Sequence, residues 1–340
     1  MLHKQIILEI NNVYTANAFQ TGTGYHVGAG SETDPVVHLY DLKDGRDELV
    51  DDCPGGMMSF IPIPGTRASF VTIMGLYPPF IGHEAGLFLH QKGEAGWTSV
   101  KTMDLPFAHR CEFMMHEGVN YLVAATVSKL KENPDDWSRP GELHILSMAT
   151  NVVPPWKSKI IESGITRNHG MTKTIIDGNQ TICISGAEGI FKIIPRFDGQ
   201  WEIKPVFEKE VSEMTFIDLD GDGTNELVTI EPFHGDTLNI YKKRGNEWEQ
   251  KFEDSLSFGH GLSSGFFNHV PVILAGNRSG TRALEIFTVN DLAEGVVNRK
   301  VIEEEAGPTQ TQVFSYKSTD FLLSANQIKN EVAIYSGTLD

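Results

Sequence analysis

The densest set of oxygen ligands in the chain is Asp218-Leu219-Asp220-Gly221-Asp222-Gly223-Thr224-Asn225-Glu226. Carboxylates fall at loop positions 1, 3, 5 and 9, and the Thr224 carbonyl can supply position 7. Gly221 and Gly223 let the backbone curl so that these oxygens converge. Hard oxygen ligands in a flexible loop suit Ca²⁺, and four carboxylates this close repel one another without a cation. The loop is therefore expected to hold a structural calcium ion through Asp218, Asp220, Asp222, Thr224 and Glu226.

A second group is scattered along the chain. His109, His169 and His260 each stand just before a short apolar strand, and Gln310 holds the same place further on. Neutral imidazoles that converge can ligate a transition metal, with an amide oxygen added and open positions left to water. Mn²⁺, Fe²⁺, Zn²⁺ and Ni²⁺ all suit such a set.

What must position these residues is an internal repeat with a period of roughly 50 residues. Each unit has a short apolar strand, a tight turn, a strand ending in small residues, a variable loop, a third strand and often a fourth with Trp near its start. Glu84–His90 precedes Trp97–Lys101, Gly189–Ile194 precedes Trp201–Lys204, and Thr237–Lys242 precedes Trp248–Lys251. First and second strands recur as Cys111–Met115 with Tyr121–Ala125, Met171–Ile176 with Thr181–Ser185, and Gln312–Tyr316 with Phe321–Ala325. First strands start near Ala16, Met57, Arg110, Gly170, Glu213, Gly261 and Thr311, which makes seven units. Short strands, many turns and almost no helical periodicity predict an all-β chain. Four-strand units repeated seven times predict one seven-bladed β-propeller domain over 1–340. The seventh unit stops after its third strand, Glu331–Tyr335, while Lys4–Ile10 is an extra strand before the first unit. Pairing the two closes the last blade and removes an open edge.

In this frame the residue before each first strand reads Thr15, Gly56, His109, His169, Ser212, His260 and Gln310, and these positions of a propeller approach its axis. Loops between second and third strands open at the same end. They carry Tyr77, Phe80, His83 and Glu84 in blade two, and Lys129, Lys131 and Trp137 in blade three. Blade five adds Glu231, His234 and Asp236, and blade six Asn277, Arg278 and Arg282. Arg110 follows His109, and Arg167 precedes His169.

The acidic loop resembles the calcium loop of FG-GAP/VCBS propeller repeats, with Glu226 in place of a final Asp and the match confined to this repeat. The three histidines with Gln310 are similar to the metal site of oligogalacturonate lyases, whose divalent cation, commonly Mn²⁺, holds a substrate carboxylate. The whole-chain rhythm resembles the propeller domain of aldos-2-ulose dehydratases, which remove water from keto-sugars, although the chain has no room for that family's further cupin domains. These resemblances imply a metal-dependent lyase or dehydratase acting on a small carbohydrate, a keto-sugar or uronate. A metal polarises the carbonyl, a base takes the α-proton and an acid protonates the leaving oxygen. His234 and His83 are the candidate bases, and Tyr77 or Lys131 the acid. Arg110 and Arg278 would hold an anionic or polyhydroxyl substrate, with Trp137, Phe80 and Phe233 as stacking faces. The alternatives are a non-catalytic platform for a glycan or protein, and a calcium-dependent lactonase-type hydrolase.

Net charge is −17 over 340 residues, which works against nucleic acid or an anionic membrane as partner. The first ten residues hold a short apolar run with Glu9 and no cleavage site, unlike a signal peptide. No apolar stretch approaches the roughly 20 residues that span a bilayer. Three widely spaced cysteines, Cys53, Cys111 and Cys183, suit reduced thiols in a cytoplasmic protein.

Overall fold

The computed structural model describes residues 1–340 except 23, 51–52, 67–68, 152, 177, 197 and 340, and of Ser163 only the backbone. Its strands form seven antiparallel sheets of four. The first blade is β2 (Val13–Gln20), β3 (Tyr25–Ser31), β4 (Val37–Asp41) and β5 (Asp47–Val50). The second is β6 (Ser59–Pro62), β7 (Ser69–Met74), β8 (Gly86–Gly93) and β9 (Gly96–Asp104). The third is β10 (Ala108–His116), β11 (Val119–Thr126), β12 (Gly141–Ser147) and β13 (Lys159–Ile165). The fourth is β14 (Met171–Ile176), β15 (Asn179–Gly186), β16 (Gly189–Pro195) and β17 (Trp201–Phe207). The fifth is β18 (Glu213–Ile217), β19 (Glu226–Glu231), β20 (Thr237–Arg244) and β21 (Glu247–Ser255). The sixth is β22 (Gly259–Phe267), β23 (Val270–Asn277), β24 (Leu284–Asp291) and β25 (Val296–Glu303). The seventh takes β26 (Pro308–Tyr316), β27 (Thr319–Asn326) and β28 (Glu331–Gly337) from the end of the chain and β1 (Leu2–Glu9) from its start, in the order β1-β28-β27-β26. The architecture is the expected all-β, seven-bladed propeller. β1 lies outside β28, with Lys4 opposite Tyr335 and Gln5 opposite Ile334.

Two compact units make up the chain, Met1–Ala18 with Glu210–Asp340, and Phe19–Lys209. In each, apolar faces of neighbouring sheets meet. Ile217, Val228, Ile230 and Ile240 pack with Ile273 and Phe287 in the first unit. Phe19, Val37 and Leu39 pack with Phe60, Phe70 and Phe88 in the second. Second strands are covered on both faces, so they read as continuous runs such as Leu122–Ala125, all at 0% exposure. Gly28 on β3 shows how closely these sheets approach, because a Cβ there would sit 2.3 Å from the Phe60 ring. Fourth strands alternate or lie exposed, which is why they lack the apolar runs. Cys183 is buried, and desolvation pushes its thiol up to about 12.

One buried ring couples this packing to pH. His90 on β8 is fully covered, stacks on Phe70 at 4.6 Å, and meets Thr72 Oγ1 at Nε2 and Ser99 Oγ at Nδ1, both at 2.8 Å. Burial pulls its pKa down to about 3. The folded state therefore binds fewer protons than the unfolded state between that value and the ordinary one near 6.5. Stability from this group is present above that window and is lost as pH falls through it, at a limit of about 1.4 kcal/mol per pH unit. Urea unfolding of His90→Gln should show a shallower loss of stability on acidification than the parent; parallel curves would refute the assignment.

Candidate functional site

A left-handed residue recurs where the chain passes from an outer strand into the next blade. Phe107 (φ 60°), Arg167 (φ 53°) and Phe258 (φ 56°) each stand two residues before a predicted histidine. Non-glycine residues pay for this conformation unless their surroundings hold them there. The reversal swings the chain into the first strand and buries the histidine: His109 and His169 are at 0% exposure, His260 at 1%.

Within the Phe19–Lys209 unit, the His109 and His169 rings lie 4.3 Å apart, tilted by 33°. His109 Nδ1 is 3.2 Å from the His169 carbonyl oxygen. A carbonyl only accepts, so Nδ1 carries the proton and the neutral ring keeps its lone pair on Nε2. Within the other unit, His260 Nδ1 donates to the Thr309 carbonyl at 2.7 Å, and Nε2 accepts from the Tyr14 hydroxyl at 3.0 Å. His234 (φ 49°) stacks between Phe233 at 4.0 Å and Phe258 at 4.8 Å, with its centroid 5.3 Å from His260. Gln310 Oε1 accepts the Ala16 amide at 3.3 Å. A proton fixed on Nδ1 by a backbone carbonyl is what metal-ligating histidines show, and His109 and His260 both have it. His260 already has the Tyr14 hydroxyl on its other nitrogen, and the Gln310 oxygen already serves a backbone amide.

The predicted acid–base and binding residues fall into separate settings. Arg278 lies over the Tyr14 and Phe258 rings, 5.9 Å from each centroid, and donates to Gln327. It thus joins the Tyr14–His260–His234 group. Arg110 instead donates to the Met58 carbonyl at 3.0 Å and ties blade three to blade two. His83 is exposed and rests edge-on against Phe107 at 5.0 Å. Tyr77 pairs with Ile81 through two 2.8 Å backbone hydrogen bonds, closing a tight loop that presents Phe80 (φ 68°).

Lys131 has the most unusual environment. It lies in the loop joining β11 to β12 and is 5% exposed, with no hydrogen-bond acceptor on Nζ. The ammonium sits 3.2 Å from the Trp137 ring centroid and 5.2 Å from that of Phe80. Arg167 approaches Trp137 at 5.8 Å, and Phe80 meets Trp137 edge-on at 5.1 Å. Desolvation pulls the Lys131 pKa down to about 8, Arg167 adds to the drop, and Asp136 and Asp135 oppose it. The loop is folded around Asp136, whose carboxylate accepts the Ser138 hydroxyl at 2.6 Å, the Ser138 amide at 2.9 Å and the Glu132 amide at 3.1 Å. Beside Arg167, Asn168 is 2% exposed with neither end of its amide hydrogen-bonded. Two cationic groups and two ring faces thus lie close together, and the ammonium still has three N–H donors to give.

The acidic loop connects β18 to β19 and contains a cation of its own. Lys242 on β20 reaches in, with Nζ 2.8 Å from Asp222 and 3.1 Å from Glu226, and pairs with Asp220 as well. Asp218 is occupied by the Gly221 and Gly223 amides at 2.7 and 2.8 Å, and Glu226 also accepts the Leu219 amide at 2.7 Å. Asp218, Asp220 and Asp222 offer oxygens within 4.8 Å of one another. The donor set suits Ca²⁺, in competition with the ammonium.

Tyr14, Asn168 and Lys242 were not expected from sequence. Tyr14 directly precedes a lead-in position, Thr15, and Asn168 directly precedes His169, so adjacency to that column was their available signal. Lys242 is 22 residues from Asp220, and nothing local marks it.

No known family profile matches the chain, and no curated protein is similar to it in sequence. Solved structures are similar in fold. The β-propeller domain of Cps50 (Swd1) from Myceliophteria thermophila superposes with a TM-score of 0.63 at 10% identity, covering 99% of this chain and 100% of that one. A chain of a mitotic checkpoint complex gives 0.63 at 10% identity, covering 99% and 94%. At that identity the likeness defines a class, the seven-bladed β-propeller, and nothing narrower. The resemblances to FG-GAP repeats, oligogalacturonate lyases and aldos-2-ulose dehydratases rest on residue patterns alone. No helix among the described residues is long and apolar enough to cross a membrane.

Proposed function

We propose that this chain is a binding propeller and that its loops take a carboxylate-bearing ligand at the Lys131–Trp137–Arg167 recess. The supporting observation is Lys131: a buried ammonium without a hydrogen-bond acceptor is costly, and a ligand carboxylate would supply the missing acceptor. Arg167 offers a second cation, and Trp137 and Phe80 offer flat faces for the rest of the ligand. A similar fold within a protein complex favours binding over turnover for this chain too. Calorimetric titration with galacturonate at pH 7 should show binding to the parent and at least tenfold weaker binding to Lys131→Met. Equal affinity in the two proteins would sink this reading.

A second reading, elimination on a keto-sugar or uronate, is favoured by the Tyr14–His260 pair. Its phenol proton has an acceptor at 3.0 Å, the acceptor's tautomer is fixed by Thr309, and Arg278 lies over the phenol ring. Tyr14 could then exchange a proton with substrate through its oxygen while His260 takes up or returns it. Ca²⁺ at Asp218–Glu226 would brace blade five.

A further inference from the structure

Amines are nucleophilic only without their proton, and proteins make lysine reactive by desolvating it or by placing a second cation beside it. Lys131 has both conditions. Its nitrogen is packed by the Trp137 and Phe80 rings, and the Arg167 guanidinium lies 5.8 Å from the Trp137 centroid. We propose that Lys131 captures a small 2-oxo acid covalently, as an imine between Nζ and the ligand's carbonyl carbon. This rests on the reading of the recess as a carboxylate site and names the ligand that the site would take.

The step balances within the recess. The ammonium first releases one proton to solvent. The neutral nitrogen then adds to the carbonyl carbon, giving a carbinolamine. Its two remaining amine protons leave with the former carbonyl oxygen as water, and the C=N bond closes. Arg167, which bears electrostatically on Lys131, supplies the positive charge that draws the ligand's carboxylate towards these rings. No oxidant or reductant is required, and hydrolysis reverses the capture. Trp137, half-buried and in contact with the ammonium, is the ring that must move to admit the ligand.

Several groups bear on the nitrogen. Asp135 and Asp136, on its own loop, favour the charged form, and so do the faces of Trp137 and of Phe80 from the blade-two loop. Arg167, from the lead-in to blade four, and burial favour the neutral one. The balance near pKa 8 leaves Lys131 on the order of a few hundred-fold more free amine at pH 7 than an ordinary lysine.

Glyoxylate with cyanoborohydride converts such an imine into a stable carboxymethyl-lysine, which peptide mass mapping locates. At pH 7 the adduct should concentrate on Lys131 over the exposed lysines of the same protein, with labelling rising through a midpoint near 8. Lys131→Arg should lose the dominant adduct. Labelling spread over surface lysines, with Lys131 at or below their level, overturns the capture. If that occurs while galacturonate binding still depends on Lys131, the carboxylate site stands and only the imine is lost. If galacturonate binding is also indifferent to Lys131, both fall.

Discussion

Deleting residues 1–10 should leave a chain that does not complete its fold. β1 supplies the outer strand of the seventh blade, so its removal exposes every unpaired amide and carbonyl along the edge of β28. It also removes Ile7, Leu8 and Ile10, which are 8%, 5% and 3% exposed. At about 1.5–3 kcal/mol per buried aliphatic side chain, their loss alone approaches the whole stability of an ordinary domain. A cluster of charge goes with them. Lys4 donates to Glu303 at 2.6 Å and to Glu331, while Glu303 also receives Lys329 and Tyr335. Burial pushes the Glu303 carboxyl up, but hydrogen bonds from Lys329, Lys4 and Tyr335 more than reverse this and hold it below its usual value. Its stabilisation is therefore present above the unfolded carboxylate pKa and is lost as pH falls through the folded value. Circular dichroism and urea titration should show the truncated chain losing its cooperative transition, and a peptide of residues 1–12 added in trans should restore it by strand addition. Lys4→Met should cost about 2–4 kcal/mol at pH 7, because two largely buried carboxylates lose a partner, with the deficit shrinking in acid. A truncated protein with the parent's urea midpoint would show that the closing strand is dispensable.

The closure was legible because strands declare themselves by period and turn chemistry. Predicted first-strand starts such as Ala16, Gly261 and Thr311 lie within a few residues of the observed Val13, Gly259 and Pro308. Within the Phe19–Lys209 unit the repeat also aligned His109 with His169, whose rings lie 4.3 Å apart. What the repeat cannot show is how a side chain is used once placed. Arg110 and Gln310 looked like ligand donors, and the repeat gave no sign that each also holds a backbone partner on the neighbouring blade. Lys131 looked like one acid among several. Its character comes from burial, and Phe80, which helps bury it, belongs to another blade about fifty residues earlier. Tyr14 reaches His260 across 246 positions of sequence. Local pattern fixes strands, whereas these contacts depend on which loops the fold brings side by side.

The acidic loop carries the same lesson to a large expected effect. Its spacing implied that an ion must neutralise it, and the structure places Lys242 among Asp220, Asp222 and Glu226. Lys242→Met should therefore cost about 1–3 kcal/mol at pH 7 in chelator, chiefly through Glu226, the one covered acid of the three, because Asp220 and Asp222 remain open to water. Glu226 is fully covered, and burial already raises its pKa despite the Leu219 amide and Lys242. A carboxyl whose folded pKa is raised binds more protons folded than unfolded, so Glu226 stabilises the protein less as pH rises through that window. Removing the ammonium widens the window, and the variant should recover part of its deficit at pH 5. Calcium separates the two cations. With Lys242 gone, Asp220, Asp222 and Glu226 lose their shared ammonium, and millimolar Ca²⁺ should restore stability by mass action. In the parent the same calcium must displace a bonded ammonium, so its urea midpoint should move much less. A variant as stable as the parent in chelator would show that Lys242 does not neutralise the loop. A destabilised variant that calcium fails to rescue would show that the loop was built for the ammonium alone.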